Sequence, residues 1–357
     1  MNRRNGFFLT ILIAFLCLAF FLPMSVTAAD KPIKLRLHSY APPPPSASGV
    51  GTQWFIDEVK ERTNGRVDFQ VFWSGSMAPP KGQLELIQYG AVDIEKTCTL
   101  YFPGKFVISH FEYSFPFGPT DPVMVSNAKR QIYEEFQVKK DEYKKFGTIM
   151  LANHVAPYYQ LLSKKRISTV KDLKGMKVGV IGRWFGKWLE PVGVVPVIMP
   201  AGERYVALQS GVLDGDLLWL DLQYALSLHE QAEYLVEIGF GSFIPEDLMM
   251  NRKSFNRLPK DIQQILLDVG RESELWVAQK LKQKRLDVLK KMKASGITVL
   301  EFPDSEKAKW AQMVPDTPAV WAREAEAAGI PGFEIAKRWQ EITAEMGYKW
   351  PRKWAVK

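Results

Sequence analysis

Apolar residues recur along the chain with two different periods. Ile33-Lys34-Leu35-Arg36-Leu37 alternates with polar positions and predicts a strand. Val67, Phe69, Val71 and Trp73 fall on one face of a second alternating run. Between them, the four prolines of Ala41 to Ser46 exclude regular structure. Gly51 to Thr63 predicts a helix with Trp54 and Val59 inward, ended by Asn64-Gly65. Gly82 to Tyr89 predicts a short helix stopped at Gly90, and Ala91 to Ile94 a third strand. This β-α-β-α-β order is that of an open α/β sheet.

The order returns further along. Lys177 to Ile181 predicts a strand, Arg183 to Leu189 a helix and Val194 to Met199 a strand. A helix from Gly202 to Gly211 and a strand at Val212-Leu213 follow. The hexapeptides Gln88-Tyr89-Gly90-Ala91-Val92-Asp93 and Gln209-Ser210-Gly211-Val212-Leu213-Asp214 run in parallel, which supports two similar lobes. From Pro259 to Ala294 an apolar stripe at helical spacing (Ile262, Ile265, Leu266, Val269, then Leu275 to Leu289) predicts a helix of 36 residues. Such a helix is about 54 Å long. A lobe of ~150 residues is only roughly 40 Å across, so the helix should bridge both lobes unless Gly270 breaks it.

Residues 1–29 predict a cleaved export signal. Arg3 and Arg4 precede an apolar run from Phe7 to Leu22, and small residues Val26-Thr27-Ala28-Ala29 follow. Its loss takes the formal charge from +8 to +6 and leaves Cys98 as the one cysteine, so no internal disulfide is expected. With 46% hydrophobic residues and acidic side chains dispersed among the basic ones, the composition fits a soluble globular protein. The short clusters Lys164-Lys165-Arg166 and Lys290-Lys291-Met292-Lys293 read as solvated faces, and no nucleic-acid partner is expected.

Catalytic and cofactor motifs are missing. Gly182-Arg183-Trp184-Phe185-Gly186-Lys187 has too few residues between its glycines for a phosphate loop, and Trp188 stands where Ser or Thr must hold magnesium. His38, His110, His154 and His229 are scattered without i,i+4 spacing. The reading is therefore no enzyme, no metal and no cofactor.

Several segments together are similar to the DctP-type solute-binding proteins of tripartite ATP-independent periplasmic (TRAP) transporters. Ile167 to Val178 resembles their "DLKG-x-K" segment. Gly193, Pro196, Met199 and the run Glu203 to Gly215 resemble a Gly before "P-x-x-M" followed by "E-x-Y-x-A-L-Q-x-G-x-x-D-G". Thr63-Asn64-Gly65-Arg66, Gly90-Ala91-Val92-Asp93 and Phe115-Pro116-Phe117 match as well. The resemblance implies an α/β, two-lobed periplasmic-binding-protein clamshell, each lobe an open α/β sheet, with a long helix bridging both lobes. With the duplicated pattern, lobe I is expected from 30–153 plus about 243–275, and lobe II from 154–242 plus about 276–357. It further implies a periplasmic receptor that captures a small organic solute and hands it to the membrane subunits of a permease.

The family grips carboxylates with an arginine at the end of the strand after "G-x-K". Here that position is Gly179, and Tyr159 aligns with a second family arginine. Arg183, four residues beyond, could supply the cation, or the ligand could carry no carboxylate. In open α/β sheets ligands bind at the carboxyl ends of strands. Candidate ligand-binding residues on this basis are Tyr40, Trp73 and Glu95 (placed after the third strand) from lobe I. From lobe II they are Tyr158, Tyr159, Arg183, Trp184, Trp219 and Asp221. Trp188 and Asp216 belong to the same aromatic and acidic set. Two alternatives stay open: an exported α/β enzyme, hydrolase-like, acting in the same cleft, and a sensor receptor that presents its ligand to a membrane kinase. A Ser or Cys within reach of a His would favour the enzyme.

Overall fold

The structure is a computed structural model that describes residues 31–354 apart from 103 and 157. The export signal lies outside the described residues. In chain order the first elements are β1 (Ile33–Ser39), α1 (Ala47–Arg62), β2 (Val67–Phe72), α2 (Gln83–Gln88), β3 (Ile94–Cys98), α3 (Pro122–Phe136), α4 (Val138–Lys145) and β4 (Thr148–Ala156). Then follow β5 (Tyr159–Ser163), β6 (Lys177–Val180), α5 (Arg183–Leu189), β7 (Val195–Ile198), α6 (Arg204–Gln209), β8 (Gly215–Trp219), α7 (Leu220–Ala225) and β9 (Tyr234–Glu237). The chain closes with β10 (Phe243–Asn251), α8 (Arg252–Asn256), α9 (Lys260–Ala294), β11 (Thr298–Glu301), α10 (Asp304–Met313), α11 (Thr317–Ala327) and α12 (Gly332–Glu345).

Two sheets form, in the orders β2-β1-β3-β10-β4 and β11-β9-β5-β8-β6-β7. Each contains the same parallel triplet, β2-β1-β3 in one and β7-β6-β8 in the other, and each triplet is extended by an antiparallel strand. The duplicated hexapeptide has a duplicated job. Asp93 donates its backbone N–H to the Arg36 carbonyl and accepts the Arg36 N–H on its carboxylate, each at 2.9 Å. Asp214 does the same with Lys177, at 2.8 Å. Each aspartate thus pins the turn before the third strand to the first strand.

That role corrects the strand positions. Both third strands begin after their aspartate, at Ile94 and Gly215, not at Ala91 and Val212. Gly90 and Gly211 take positive φ (72° and 78°), so the residues after them complete a turn. The buried sequence Ile94-Glu95-Lys96-Thr97-Cys98 is too polar to read as a core strand, and it is tolerated because each polar side chain finds a partner.

α9 runs unbroken through 35 residues. Its first half packs Ile262, Leu266 and Val269 into the core of the first sheet. Val277, Ala278 and Leu281 pack at the junction, and Val288 and Met292 enter the core of the second sheet. Gly270 is not a break. A Cβ there would stand 2.3 Å from the Leu151 carbonyl oxygen, so the glycine lets the helix backbone lie directly on β4. The chain also crosses between sheets at β4–β5 and at β9–β10, beside hydrogen bonds from Tyr159 to Gly241 and from Ser242 to Pro119. The C-terminal helices brace this junction. Trp310 donates to the Trp188 carbonyl at 2.7 Å and Thr317 to the Ser114 carbonyl at 2.6 Å. No helix among the described residues is long and apolar enough to cross a membrane.

Candidate ligand-binding cleft

Tyr40 follows the last residue of β1, and Cys98 ends the adjacent β3 in the same direction. β10 runs antiparallel beside them and sets Glu246 opposite Cys98. The Glu246 carboxylate collects the hydroxyls of Tyr40 and Ser48 on one oxygen and the Lys96 ammonium, at 2.9 Å, on the other. Ser48 comes from the first turn of α1, so strand ends and helix start converge on one carboxylate. Lys96 also donates to His154 Nδ1 at 2.5 Å. With Nδ1 accepting, Nε2–H must donate to Ser273 Oγ, 2.8 Å away. Burial, reinforced by Lys96, holds the His154 pKa well below its usual value, so the ring is neutral.

The second lobe is arranged differently at matching positions. Gly179 pairs with Asp216 in β8, as His38 pairs with Glu95 in β3. His38 and Glu95 form a buried couple at 2.9 Å. Gly179 has no side chain to offer. Arg204, the first residue of α6, reaches in instead and donates to Asp216 Oδ1 at 2.6 Å and to the Met199 carbonyl at 3.2 Å. Gln223 donates to the other carboxylate oxygen at 3.2 Å. Both charged groups are fully buried. Burial raises the Asp216 pKa, and Arg204 and Gln223 pull it back. A Cβ on Gly179 would meet Asp216 Oδ1 at 3.1 Å and Leu213 Cδ1 at 2.9 Å, so this ion pair fills the space of a side chain at 179.

Aromatic rings from both lobes close the floor at the junction. Tyr113 stacks on Phe243 at 4.4 Å, and Tyr159 packs on Phe185 at 4.5 Å and on Trp219 at 5.5 Å. The Tyr113 and Tyr159 hydroxyls are buried and face each other. Tyr101 meets the Tyr40 ring edge-on at 6.1 Å. Burial, with the nearby Glu246 and Asp247 adding to it, pushes the Cys98 thiol up to about 12, so it stays protonated at neutral pH.

Of the residues singled out in the sequence, Tyr40 bonds to Glu246, Tyr159 and Trp219 meet edge to face, and Asp221 stands nearby. Asp221 lies close enough to Glu246 for the two charges to interact, while Lys284 of α9 stands 3.7 Å from its carboxylate. Trp73 follows β2, two strands away from β3. Three placements need correction. Glu95 lies inside β3 rather than after it, and its side chain is spent on His38 in the interior. Arg183 turns out of the cleft. It is half exposed, pairs with Glu324 of α11 and lies over the Trp184 ring at 4.3 Å, so it does not replace a cation at 179. Tyr158 points to the opposite side from Tyr159, under Arg285 and onto Glu237. There it borders an open pocket of about 340 Å³ with Asp121, Ser242 and Leu281. The sequence reading missed Ser48, Lys96, Cys98, Tyr113, Arg204 and Glu246. The Gly-to-Asp turn shared by both repeats was the available signal for Lys96 and Cys98, because it fixes where each third strand begins.

The profile of the bacterial extracellular solute-binding protein family 7 (DctP) matches residues 38–324. The monocarboxylate 2-oxoacid-binding periplasmic protein all3028 of Nostoc sp. strain PCC 7120 is 28% identical over 71% of this chain and 70% of its own. A TRAP periplasmic solute-binding protein from Desulfovibrio salexigens, crystallised as an open complex, superposes with a TM-score of 0.81 at 26% identity. That match covers 90% of this chain and 98% of the other. A TRAP solute-binding protein from Rhodoferax ferrireducens, in complex with copurified benzoate, superposes with a TM-score of 0.75 at 22% identity, over 88% and 98%.

Proposed function

The chain belongs to the DctP family of bacterial extracellular solute-binding proteins and is the solute receptor of a TRAP transporter, and we propose that its solute is an aromatic organic compound held in the cleft between the two sheets. The observation that carries this reading is the convergence of Tyr40, Tyr101 and Tyr113 from one side with Tyr159, Phe185 and Trp219 from the other. A planar ring gains stacking contacts there beyond its buried area. The benzoate found in the Rhodoferax ferrireducens protein supports an aromatic class. The solute is released unchanged to the permease's membrane subunits, after the chain has been exported to the periplasm by its leader.

Among the described residues, the one serine hydrogen-bonded to a histidine gives no nucleophile. Ser273 donates its own hydroxyl to the Gly270 carbonyl at 2.6 Å and accepts from His154, whose second nitrogen is occupied by Lys96. Both residues are buried. The test of the reading is a thermal-shift screen of the exported chain against aromatic and aliphatic acids, amides and polyols. An aromatic solute at 100 times its Kd is expected to stabilise by about 2.7 kcal/mol. Stabilisation by polyols or aliphatic solutes alone refutes the aromatic class.

A further inference from the structure

The pocket beside Tyr158 is separate from the cleft. It measures about 340 Å³, within the range of small-molecule sites, and none of Tyr40, Tyr159, Trp219 or Glu246 lines it. Its walls come from both crossings between the sheets and from the helix that bridges them. Tyr158 belongs to the β4–β5 crossing, Ser242 to the β9–β10 crossing, and Leu281, Lys282, Arg285 and Leu286 to α9. The start of α3 closes it, tied to the second crossing by a bond from the Ser242 hydroxyl to the Thr120 carbonyl at 3.1 Å.

This pocket has a cation with an open donor. The Arg285 guanidinium lies over the Tyr158 ring at 4.8 Å and donates from one terminal nitrogen to Glu237, which also accepts the Tyr158 hydroxyl at 3.1 Å. The Arg285 Nε–H is buried and makes no hydrogen bond. A buried charged donor left open is costly, and at the wall of a cavity it marks a place for an acceptor. Lys282 lines the same pocket and pairs with Asp121 at 2.8 Å. The two side chains are 63% and 38% exposed, so the pair contributes little and is easily exchanged. Asp121 keeps the Val123 and Met124 N–H groups on its other oxygen when Lys282 turns away. The rest of the lining is apolar, with Leu281 buried and Leu286 left 54% exposed amid the charged second half of α9.

We propose that this pocket is a second binding site, for a small organic carboxylate with an apolar body. The carboxylate accepts from the Arg285 Nε–H and the Lys282 ammonium, and the body lies on Leu281 and Leu286 beside the Tyr158 ring. Both polar contacts are charge-assisted, which selects an anion over a neutral compound of the same shape. The apolar wall selects an organic acid over an inorganic ion, which has no apolar surface to remove from water.

The experiment is calorimetric titration of the exported chain with 4-iodobenzoate and 4-iodobenzamide, with crystals soaked in each and the iodine located by its anomalous signal. The expected result is iodine from the acid beside Leu286, with the amide binding there at least about tenfold more weakly for want of the charge-assisted contacts. Leu286→Asp puts a carboxylate on an exposed part of the wall. It should weaken this binding component about tenfold and leave the melting temperature unchanged. Arg285→Lys keeps the charge and removes the Nε–H, and should weaken it about three- to tenfold. If that variant fails to fold because Glu237 loses its partner, Leu286→Asp decides alone. Iodine in the cleft only, or acid binding that neither substitution weakens, overturns the inference and leaves the aromatic cleft standing. Equal binding of acid and amide at the pocket overturns the anionic class, and iodine in soaked crystals without heat in solution, or in neither place, overturns the site.

Discussion

The two lobes carry the same parallel triplet and the same aspartate pin, but they neutralise their inner carboxylate in different ways. In the first lobe Glu95 is met by His38 from the neighbouring strand. In the second, the neighbouring position is Gly179, and Asp216 is met by Arg204 from the preceding helix. Arg204 opens α6 as Gln83 opens α2, where Gln83 accepts from Thr97 at 2.8 Å. The fold therefore requires that a buried carboxylate at this strand position be satisfied, and it accepts the partner from any element that can reach. Supplying it from the helix in the second lobe keeps an arginine inside the protein without presenting it to the cleft.

The strongest break in the comparison is Arg204→Met. It strands Asp216 without a counter-charge in a buried site, and a loss of about 3–5 kcal/mol is expected in denaturant unfolding. Arg204→Met with Asp216→Leu should recover most of it, because an apolar pair of similar volume replaces the ion pair. Equal losses in single and double variants would show that the pair is not the unit.

Acid should separate the lobes next. His38, His110 and His154 are buried in or against the first sheet, whereas His229 of the second lobe is half-exposed. Burial, aided by Lys129 and Lys139, takes the His110 pKa down to about 3. Between about pH 3 and the ordinary histidine value of 6.5 the unfolded chain binds the extra proton, so stability rises with pH across that window and is fully present above it. The slope is at most about 1.4 kcal/mol per pH unit for this one group. Amide protection factors, referred to the intrinsic exchange rate at each pH, should fall from pH 7 to pH 5 more in β1, β3, β4 and β10 than in β5, β6 and β8. A uniform fall would contradict this.

The aspartate pins give a smaller contrast. Asp93 also accepts from the Arg36 side chain at 3.3 Å and from Ser254 at 2.7 Å, whereas Asp214 serves the Lys177 N–H. Asp93→Ala should cost about 1.5–3 kcal/mol and Asp214→Ala about 0.5–1.5 kcal/mol. The reverse order in chemical unfolding would mean that the repeats are not equivalent here. The smallest effect belongs to Glu324→Gln. Its pair with Arg183 is well exposed on both sides, so the expected change is under about 1 kcal/mol and should fade with added salt.

The element order was legible because alternation, helical stripes and glycine turns are local signals. The third strands were read three residues early in both lobes, at Ala91 and Val212 rather than Ile94 and Gly215. The cause was shared: apolar residues that complete a turn resemble the start of a strand, and the polar strand behind them does not look buried. That shift misplaced Glu95 and hid Lys96 and Cys98. Gly179 was legible as a missing cation, and Arg183 was one of two readings of that gap, offered because it is near in sequence. Arg204, 25 positions further on, is the residue whose side chain lies beneath it.

Periodicity, the repeated Gly-to-Asp turn and the length of the α9 stripe were enough to determine two α/β lobes and a helix spanning both, since each depends only on neighbours along the chain. Which charges cancel, which tyrosines face each other and which arginine turns outward were decided by tertiary structure alone. Those outcomes depend on side chains brought together from remote strands and helices, and on the cost of leaving any buried polar group without a partner.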